Sequence, residues 1–317
     1  MGLGQHCPKN LPIPRYQGEM ARESLVGRTC PVFLESLAMR LKAKSVLLLT
    51  FVMLVGCAAV QPDALPDRGG WVMQRASLQH RQNSSKKIEV FWTKPAEPGP
   101  WPAILFLHGH QEQIRNGGEA FVRTGRLGSM ASRGYVAAAL SQPGYGNSDG
   151  PPDFCGPFTQ DAVLVAIDFL RNQPFVHPNK IVLYGYSRGA IVASMVATKD
   201  SKLAAVILGT GAYNFFSWYP TPLRGIDANI EREAGTSAEA FRARSAIYHA
   251  DKITVPVLLL HGAQDERIPV QQTEAFAEKL QAHGVAVKLK IFPDTRHGIP
   301  IDEQYREIYP FLEQYLR

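Results

Sequence analysis

The chain has 317 residues, of which 45% are hydrophobic and 20% charged, and its formal net charge is +6. The segment before Cys57 holds 7 Lys+Arg and 3 Asp+Glu, so the rest of the chain carries only +2. This composition supports a packed core. The weak charge of the main part, which has no basic stripe, excludes a typical nucleic-acid-binding protein, so we expect no nucleic acid as a partner.

A basic and then apolar segment, residues 39–56, stands ahead of the main part of the chain. Three basic residues between positions 40 and 44 precede a predominantly apolar run over 46–55. This order is typical of a secretory signal, and the run is too short to span a bilayer comfortably. The sequence Leu54-Val55-Gly56-Cys57 resembles the bacterial lipobox. That resemblance implies that Cys57 is lipidated and becomes the first mature residue, with a buried helix or a plain membrane anchor as the alternative.

The lipobox resemblance implies a lipoprotein of the cell envelope, attached to a membrane through its lipid anchor and facing the periplasm. Alanine at position 58, where aspartate is absent, leaves sorting to the outer membrane open. Residues 1–38 are rich in proline and arginine and show no periodicity. A signal sequence does not normally lie behind such a leader. We therefore expect translation to start at Met39 and treat residues 1–38 as a doubtful leader.

The pattern of apolar runs predicts the fold of the remaining chain. Residues 57–87 are polar and punctuated by proline and glycine, which predicts a tether with one early strand. Over residues 88–317, seven short apolar runs predict strands: IEVFWT, AILFLH, YVAAAL, KIVLYG, LAAVILG, VPVLLLHG and VKLKIF. Stretches such as 158–171 and 270–283 predict helices between them. This alternation predicts a single α/β domain with a mostly parallel, doubly wound sheet and helices on both faces.

The segment VLYGYSRGAIVA places Ser187 between two glycines, after a predicted strand and before a predicted helix. A Gly-x-Ser-x-Gly sequence at such a turn predicts a nucleophile elbow, in which a strained serine projects above the sheet edge. The N–H of Arg188 then points to the same place. A turn that merely needs small polar residues is the alternative. Two roles are open for the Arg188 side chain: it binds an anionic substrate group, or it is an exposed arginine that opens the helix.

The stretch 209–249 interrupts the alternation of predicted strands and helices. It begins with the aromatic and proline-rich GAYNFFSWYPTPLRG and continues into a charged helical piece. With the early strand counted, it follows the sixth strand. We interpret it as a short insertion over the active site that shapes the substrate pocket, with an ordinary surface excursion as the alternative.

A serine nucleophile needs a general base and an acid that orients it, and two downstream loops supply candidates. Asp265 and His297 each lie in a loop that directly follows a predicted strand, where open α/β sheets build their sites. The order Ser187, Asp265, His297 is the order of this fold class. Asp294 is an alternative acid, but the Asp265 loop follows its strand more directly and leads into a helix. His261 precedes a glycine at a strand end and is interpreted as a turn residue with a backbone hydrogen bond.

Five motifs in this order resemble the α/β-hydrolase superfamily and, within it, the prolyl oligopeptidase-like and dienelactone hydrolase-like groups. The motifs are FLHGH, QPGYGNSDG, GYSRG, HGAQDERIP and RHG, and the resemblance runs from about residue 88 to the C-terminus. It implies an α/β-hydrolase fold with Ser187 as nucleophile, His297 as general base and Asp265 as orienting acid. Dienelactone hydrolases use a cysteine nucleophile, so the serine argues against that activity.

The same resemblance implies an oxyanion hole that is partly built from the loop after FLHG. The backbone N–H of Arg188 is one donor, and the second comes from His110 or Gln111, which the sequence does not separate. The chain has no His-Glu-x-x-His and no Cys-x-x-Cys, so we expect no metal and no cofactor.

Because the nucleophile, the acid and the base are all present, the sequence predicts a serine hydrolase. The alternative is a catalytically inactive protein of the cell envelope with the same fold. We expect the substrate to be a carboxylic ester with a short or medium acyl group. The predicted domain is too small to include the N-terminal propeller of the larger prolyl oligopeptidases. The aromatic segment 215–219 is suited to form one side of an apolar pocket for the acyl group. The alternative substrate is a short peptide, cleaved by a dipeptidyl or acyl-aminoacyl peptidase whose Glu231 and Glu233 capture the peptide N-terminus.

Overall fold

The computed structural model describes residues 63–65 and 71–317. The predicted leader, the signal segment 39–56 and the lipidation candidate Cys57 lie outside the described residues. Within the described part of the chain, no helix is both long and apolar enough to cross a membrane.

Nine strands of the described residues form one sheet in the order β1-β2-β3-β5-β4-β6-β7-β8-β9. The strands are β1 (Asp63–Leu65), β2 (Met73–Gln79), β3 (Lys87–Thr93), β4 (Trp101–Leu107), β5 (Val136–Leu140), β6 (Val176–Tyr186), β7 (Ala205–Gly209), β8 (Val257–Gly262) and β9 (Val287–Phe292). The six strands from β4 to β9 are parallel to one another, and β1, β2 and β3 pair antiparallel. This mostly parallel arrangement confirms the predicted sheet.

Helices cover both faces of the sheet. They are α1 (Glu119–Arg123), α2 (Arg126–Ala131), α3 (Pro157–Arg171), α4 (Arg188–Ala197), α5 (Phe215–Trp218), α6 (Arg224–Glu233), α7 (Ala238–Arg242), α8 (Gln271–Ala282) and α9 (Ile301–Leu316), with a 3-10 helix over Ala246–Lys252. The core cluster on one face includes α3, α4 and α8, and the cluster on the other includes α1, α2 and α9. The α/β-hydrolase fold expected from the motifs is therefore confirmed.

The central strands are apolar throughout because both of their faces are covered. Every residue of β5, β7 and β8 is buried, as parallel strands between two helix layers require. Along β4, Ile104 and Phe106 pack into one core cluster, and Leu105 and Leu107 into the other. Each fully buried side chain of this size stabilises the fold by about 1.5–3 kcal/mol. The result is a sheet that fixes the loops at its carboxyl edge.

The structure corrects one expectation about the order of elements. Residues 73–79, which lie in the segment predicted to be a tether with one early strand, form β2, which pairs with β3 over six residue pairs. In MQRASLQ the two buried residues are three positions apart, so the period-two signal of a strand is missing. The segment 209–249 consequently follows the seventh strand and not the sixth, because β1 is a further strand that the sequence did not predict.

The segment after β7 is ordered and packs against the main core. It contains α5, α6 and α7, which run consecutively before the 3-10 helix. Each helix has at least one apolar residue buried in the cluster that also holds α4: Phe215 and Trp218 of α5, Ile230 of α6 and Phe241 of α7. This shared core fixes the three helices next to the carboxyl edge of the sheet.

Candidate active site

Ser187 lies at the sharp turn between β6 and α4. Its backbone has φ 53° and ψ −119°, a conformation that costs a residue other than glycine of the order of 1–3 kcal/mol. A Cβ on Gly185 would lie 2.1 Å from the carbonyl oxygen of Gly189, and a Cβ on Gly189 would lie 2.2 Å from that of Leu107. Both glycines are therefore required by packing. The turn that they permit holds Ser187 in a strained conformation.

His297 connects Ser187 to Asp265 through two hydrogen bonds. Its Nε2 lies 2.9 Å from the Ser187 Oγ, and its Nδ1 lies 2.8 Å from the Asp265 Oδ2. The loop that carries His297 is fixed by Tyr186, whose hydroxyl donates to the His297 carbonyl and accepts from the N–H of Ile299. The structure thus brings together the three residues predicted as nucleophile, base and acid.

Asp294, the alternative acid, is exposed. The imidazole Nδ1 of His297 is bonded to Asp265 and not to Asp294. Because Asp265 approaches from the loop after β8, next to β9 in the sheet, its position depends on the strand order and not on sequence proximity to His297.

The Asp265 carboxylate is buried, accepts three hydrogen bonds and lies close to a second imidazole, that of His261. Its Oδ1 accepts from the N–H groups of Arg267 and Ile268, at 2.9 and 3.0 Å. Its Oδ2 lies 2.8 Å from the Nδ1 of His297 and 3.1 Å from the Nε2 of His261. Burial alone raises the pKa of this carboxyl, but the bonds from His261 and His297 outweigh burial and hold the pKa well below its usual range. Asp265 is therefore an anion at neutral pH.

Two backbone groups are candidates for stabilising an oxyanion near Ser187. Arg188 is the first residue of α4, so its N–H has no acceptor within the helix and lies at the positive end of the helix dipole. His110 lines the same cavity as Ser187. Gln111 lines a neighbouring cavity, and its side chain closes a loop by bonding both the N–H and the carbonyl of Gly117. Of the two predicted second donors, His110 is thus the one that lines the cavity at Ser187.

The side chain of Arg188 is buried, so the prediction of an exposed arginine that opens the helix is wrong. Its Nη1 lies 3.3 Å from the Glu233 Oε2, and the two side chains are 2% and 3% exposed. The guanidinium also lies 5.2 Å from the ring centroid of Tyr145 and 5.1 Å from that of Phe154. A counter-charge and two aromatic rings thus compensate for burial of the cation. The Nη2 has no partner among the described residues, so binding of an anionic substrate group stays a prediction.

The predicted capture of a peptide N-terminus by two glutamates is not supported by the geometry. Glu233 is paired with Arg188, and Glu231 accepts a hydrogen bond from the hydroxyl of Tyr219 at the surface. Neither residue lines the cavity at Ser187, whereas Glu112 does. Glu112 is therefore the carboxylate that this cavity presents.

A cavity that is partly open to solvent adjoins Ser187 and His297. Its apolar wall consists of six side chains: Phe154, Ile191, Trp218, Leu223, Ile226 and Ile268. Three of them, together with Asn229, come from the segment 209–249, so this segment forms one side of the cavity. Within the predicted aromatic wall, Trp218 lines the cavity, Phe215 is buried below it and Phe216 is exposed.

No group of three or more His, Cys, Asp or Glu side chains in the described part of the chain could hold a metal ion. The described groups that adjoin the nucleophile are an imidazole and, behind it, a carboxylate. A hydroxyl bonded to an imidazole, which is bonded to a buried carboxylate, is the arrangement that activates a serine for attack on a carbonyl carbon.

Comparison with known proteins places this chain in a family. The profile of the prolyl oligopeptidase family matches residues 154–317, just over half of the chain, and that of the X-Pro dipeptidyl-peptidase (S15) family matches residues 85–222. The uncharacterized peptidase YtmA of Bacillus subtilis is 27% identical over 235 residues, which cover 73% of this chain and 89% of YtmA. Dipeptidyl-peptidase 5 of Porphyromonas gingivalis is 26% identical over 234 residues, 68% of this chain but only 34% of that protein.

Solved structures agree on the fold. The acylaminoacyl peptidase of Pyrococcus horikoshii has a TM-score of 0.65 at 22% identity, with coverage of 78% of this chain and 42% of that chain. An esterase of Pyrococcus furiosus has a TM-score of 0.62 at 17% identity, with coverage of 81% and 100%. The chain thus spans less than half the length of some of its relatives and nearly all of others. It belongs to the prolyl oligopeptidase family and is a serine hydrolase with the α/β-hydrolase fold.

Proposed function

We propose that the chain is a serine peptidase that cleaves short peptides after an apolar residue through an acyl-enzyme. The observation that carries the proposal is the hydrogen-bonded series Ser187, His297, Asp265 at the edge of an apolar cavity. Family membership and relatives named as peptidases favour a peptide over the ester that we expected from the sequence. YtmA, which this chain spans over 89% of its length, is among them, so a compact chain is no argument against a peptidase.

In the proposed first step, the Ser187 Oγ attacks the carbonyl carbon of the scissile amide, and its proton passes to the Nε2 of His297. Asp265 accepts the hydrogen bond from Nδ1, which selects the tautomer whose Nε2 is free to take that proton. The imidazolium then gives the proton to the nitrogen of the leaving amine as the C–N bond breaks. The acyl group remains on Ser187 as an ester.

In the proposed second step, a water molecule attacks the acyl ester while His297 removes its proton. The carbon–Oγ bond breaks, the proton returns to Ser187, and the carboxylic acid leaves. In both steps the carbonyl oxygen becomes negatively charged. We assign its stabilisation to the backbone N–H groups of Arg188 and His110, because both residues line the cavity at Ser187.

The cavity supports an apolar residue on the acyl side of the scissile bond. Phe154, Ile191 and Trp218 provide an uncharged wall close to Ser187. Burial of an apolar side chain there contributes binding free energy of about 25 cal/mol for each Å² removed from water. Since Glu233 is engaged with Arg188, we place acyl-aminoacyl or short-peptide substrates ahead of a dipeptidyl activity that depends on that carboxylate.

The experiment that tests the proposal combines active-site labelling with a paired substrate panel. A fluorophosphonate probe is expected to label the wild-type protein and the control Ser194→Ala, whose serine is buried in the middle of α4. Ser187→Ala is expected to remain unlabelled. Aminoacyl and N-acetylaminoacyl p-nitroanilides with apolar side chains are then compared with p-nitrophenyl acetate and butyrate. Anilide turnover with kcat/KM of about 10⁴ M⁻¹s⁻¹ or above is expected; ester turnover with no detectable anilide cleavage contradicts a peptidase.

We also propose that the protein is anchored in the cell envelope through a lipid on Cys57 and faces the periplasm. The support is the sequence alone: a basic segment, an apolar run and the lipobox-like Leu54–Cys57. Mass spectrometry of the N-terminal peptide from a membrane fraction tests this directly. Cys57→Ser is expected to shift the protein out of that fraction, and a soluble wild-type protein that retains Met1 contradicts the proposal.

A further inference from the structure

His261, near the end of β8, contacts the carboxylate of the proposed triad and does not line the cavity at Ser187. Its side chain is fully buried. The Nε2 lies 2.9 Å from the carbonyl oxygen of Ile268 and 3.1 Å from the Asp265 Oδ2, and the Nδ1 lies 2.6 Å from the Oγ1 of Thr273. The expected backbone hydrogen bond is present. The contacts with Asp265 and Thr273 were not predicted from the sequence.

These three contacts assign the tautomer of His261. Its Nε2 faces a carboxylate oxygen and a carbonyl oxygen, both of which only accept hydrogen bonds, so Nε2 carries the hydrogen. Its Nδ1 is then an acceptor, and the hydroxyl of Thr273 donates to it. A neutral imidazole satisfies every contact, and Thr273 keeps the hydrogen on the nitrogen that faces Asp265.

The consequence is that two imidazoles approach one oxygen of Asp265. His297 donates a hydrogen bond to Oδ2. The Nε2 of His261, which is hydrogen-bonded to the Ile268 carbonyl, lies 3.1 Å from the same Oδ2, so its N–H is shared between these two acceptors. The other oxygen, Oδ1, is held by two backbone N–H groups of the loop. With donors on both oxygens, the carboxylate has one orientation, in which a lone pair of Oδ2 points at His297.

We propose that His261 is a positioning residue for the triad carboxylate, and that Thr273 is the group that fixes its tautomer. The inference rests on the proposed roles of Ser187, His297 and Asp265. His261 does not line the cavity at Ser187, so it acts through Asp265 and not on the substrate. A change at His261 is therefore expected to alter kcat and to leave KM unchanged.

The direction of the pH effect follows from the shared oxygen. The N–H of His261 withdraws negative charge from Oδ2. Without that bond, the carboxylate stabilises the protonated form of His297 more strongly, so the acid limb of the kcat/KM profile moves to higher pH. A role confined to packing would lower stability without moving this limb.

The test compares His261→Leu, His261→Gln and Thr273→Val with wild type. The glutamine amide offers an N–H close to the position of Nε2, and valine has the shape of threonine without the hydroxyl. Each rate is normalised by titration of active sites with a fluorophosphonate, so that misfolded protein does not count. The matched control is His80→Leu, which removes a buried histidine whose Nε2 bonds a backbone carbonyl, that of Phe158, far in the chain from the triad.

We expect His261→Leu to lower kcat about 10- to 100-fold per titrated site, as loss of a hydrogen bond to a charged group does, with KM within about twofold and the acid limb raised. His261→Gln is expected to restore most of kcat, and His80→Leu to keep the wild-type kcat. A wild-type kcat and pH profile for His261→Leu overturns the inference.

If His261→Leu does not fold, Thr273→Val and Thr273→Ser decide the question. The valine variant is expected to lose kcat about 3- to 10-fold, and serine, which keeps the hydroxyl, is expected to restore it; equal kcat for both overturns the inference. Loss of fluorophosphonate labelling or of anilide cleavage in the wild-type protein would instead contradict the proposed function. The two failures are thus distinguishable.

Discussion

Glu233→Gln is expected to destabilise the protein strongly, because it leaves Arg188 as a buried cation without its ion-pair partner. The substitution keeps the size of the side chain and one of its oxygens, and removes only the negative charge. The Arg188 and Glu233 side chains are 2% and 3% exposed, and their closest atoms are 3.3 Å apart. The Glu233 Oε2 also accepts a bond from the N–H of Phe154. The perturbation is therefore electrostatic and lies where water does not screen it.

The magnitude follows from the burial of both partners. Removing one partner of a buried ion pair costs about 3–5 kcal/mol, whereas a surface pair contributes about 0–1 kcal/mol. For a domain of about this size, 1 kcal/mol corresponds to a change in Tm of about 2–4 °C. At the lower end of the cost, the Tm of Glu233→Gln is expected to fall by about 6–12 °C.

The assay is thermal unfolding by calorimetry together with steady-state kinetics. Glu231→Gln is the matched control, since it makes the same change two residues away on α6, where the side chain is exposed and bonded to Tyr219. Its Tm is expected to stay within about 2 °C of wild type. Because α6 contributes Ile226 and Asn229 to the cavity, Glu233→Gln is also expected to raise KM for substrates with a large apolar side chain.

A Glu233→Gln variant as stable as wild type would refute the reasoning, because the buried cation would then have no need of its partner. Equal losses for Glu231→Gln and Glu233→Gln would also refute it, since the effect would then arise from α6 as a whole and not from the pair.

Three further predictions concern the site. Asp265→Asn is expected to lower kcat about 10⁴-fold in a p-nitroanilide assay and Asp294→Asn to leave it unchanged; equal effects would contradict the assignment of the acid. Trp218→Ala, which removes part of the apolar wall, is expected to shift kcat/KM towards larger acyl-side residues by at least about tenfold; an unchanged ratio of large to small substrates argues against Trp218 as a wall. Burial lowers the pKa of His108 to about 4. Between that value and about pH 6.5 the unfolded state therefore binds more protons than the folded state. The free energy of unfolding is expected to fall by on the order of 3 kcal/mol as the pH falls through this window. Denaturant unfolding at pH 7 and pH 4 measures the fall, and His108→Gln is expected to reduce it.

The strands and the nucleophile turn were predictable because their determinants are local. All seven predicted strands are present, and the central ones are continuous apolar runs because helices cover both faces. The geometry at Ser187 follows from Gly185 and Gly189, which lie within two residues of it. Asp265 and His297 were predictable for a related reason: each directly follows a strand, and neighbouring parallel strands end at the same edge of the sheet.

The side-chain environments that the sequence did not predict depend on residues distant in the chain. Arg188 opens a helix, a position where arginine is normally exposed, and its partner Glu233 lies 45 residues away. Glu233 was expected at the substrate pocket because the sequence does not show that it pairs with Arg188. His261 was interpreted as a turn residue because its bond to Asp265 depends on the path of the loop between them, which sequence spacing does not specify.

The edge strand β9 has a consequence for how the protein behaves at high concentration. Among the described residues it pairs with β8 alone, so no described strand bonds the backbone groups along its other side. Lys288 and Lys290 alternate with the partly exposed Leu289 on this strand, and the ammonium of Lys288 lies 2.8 Å from Glu307 of α9. Another strand that paired with this edge would have to desolvate both lysines and compete with Glu307 for them. The two lysine charges thus oppose pairing of this edge with a strand of another molecule, and so oppose aggregation.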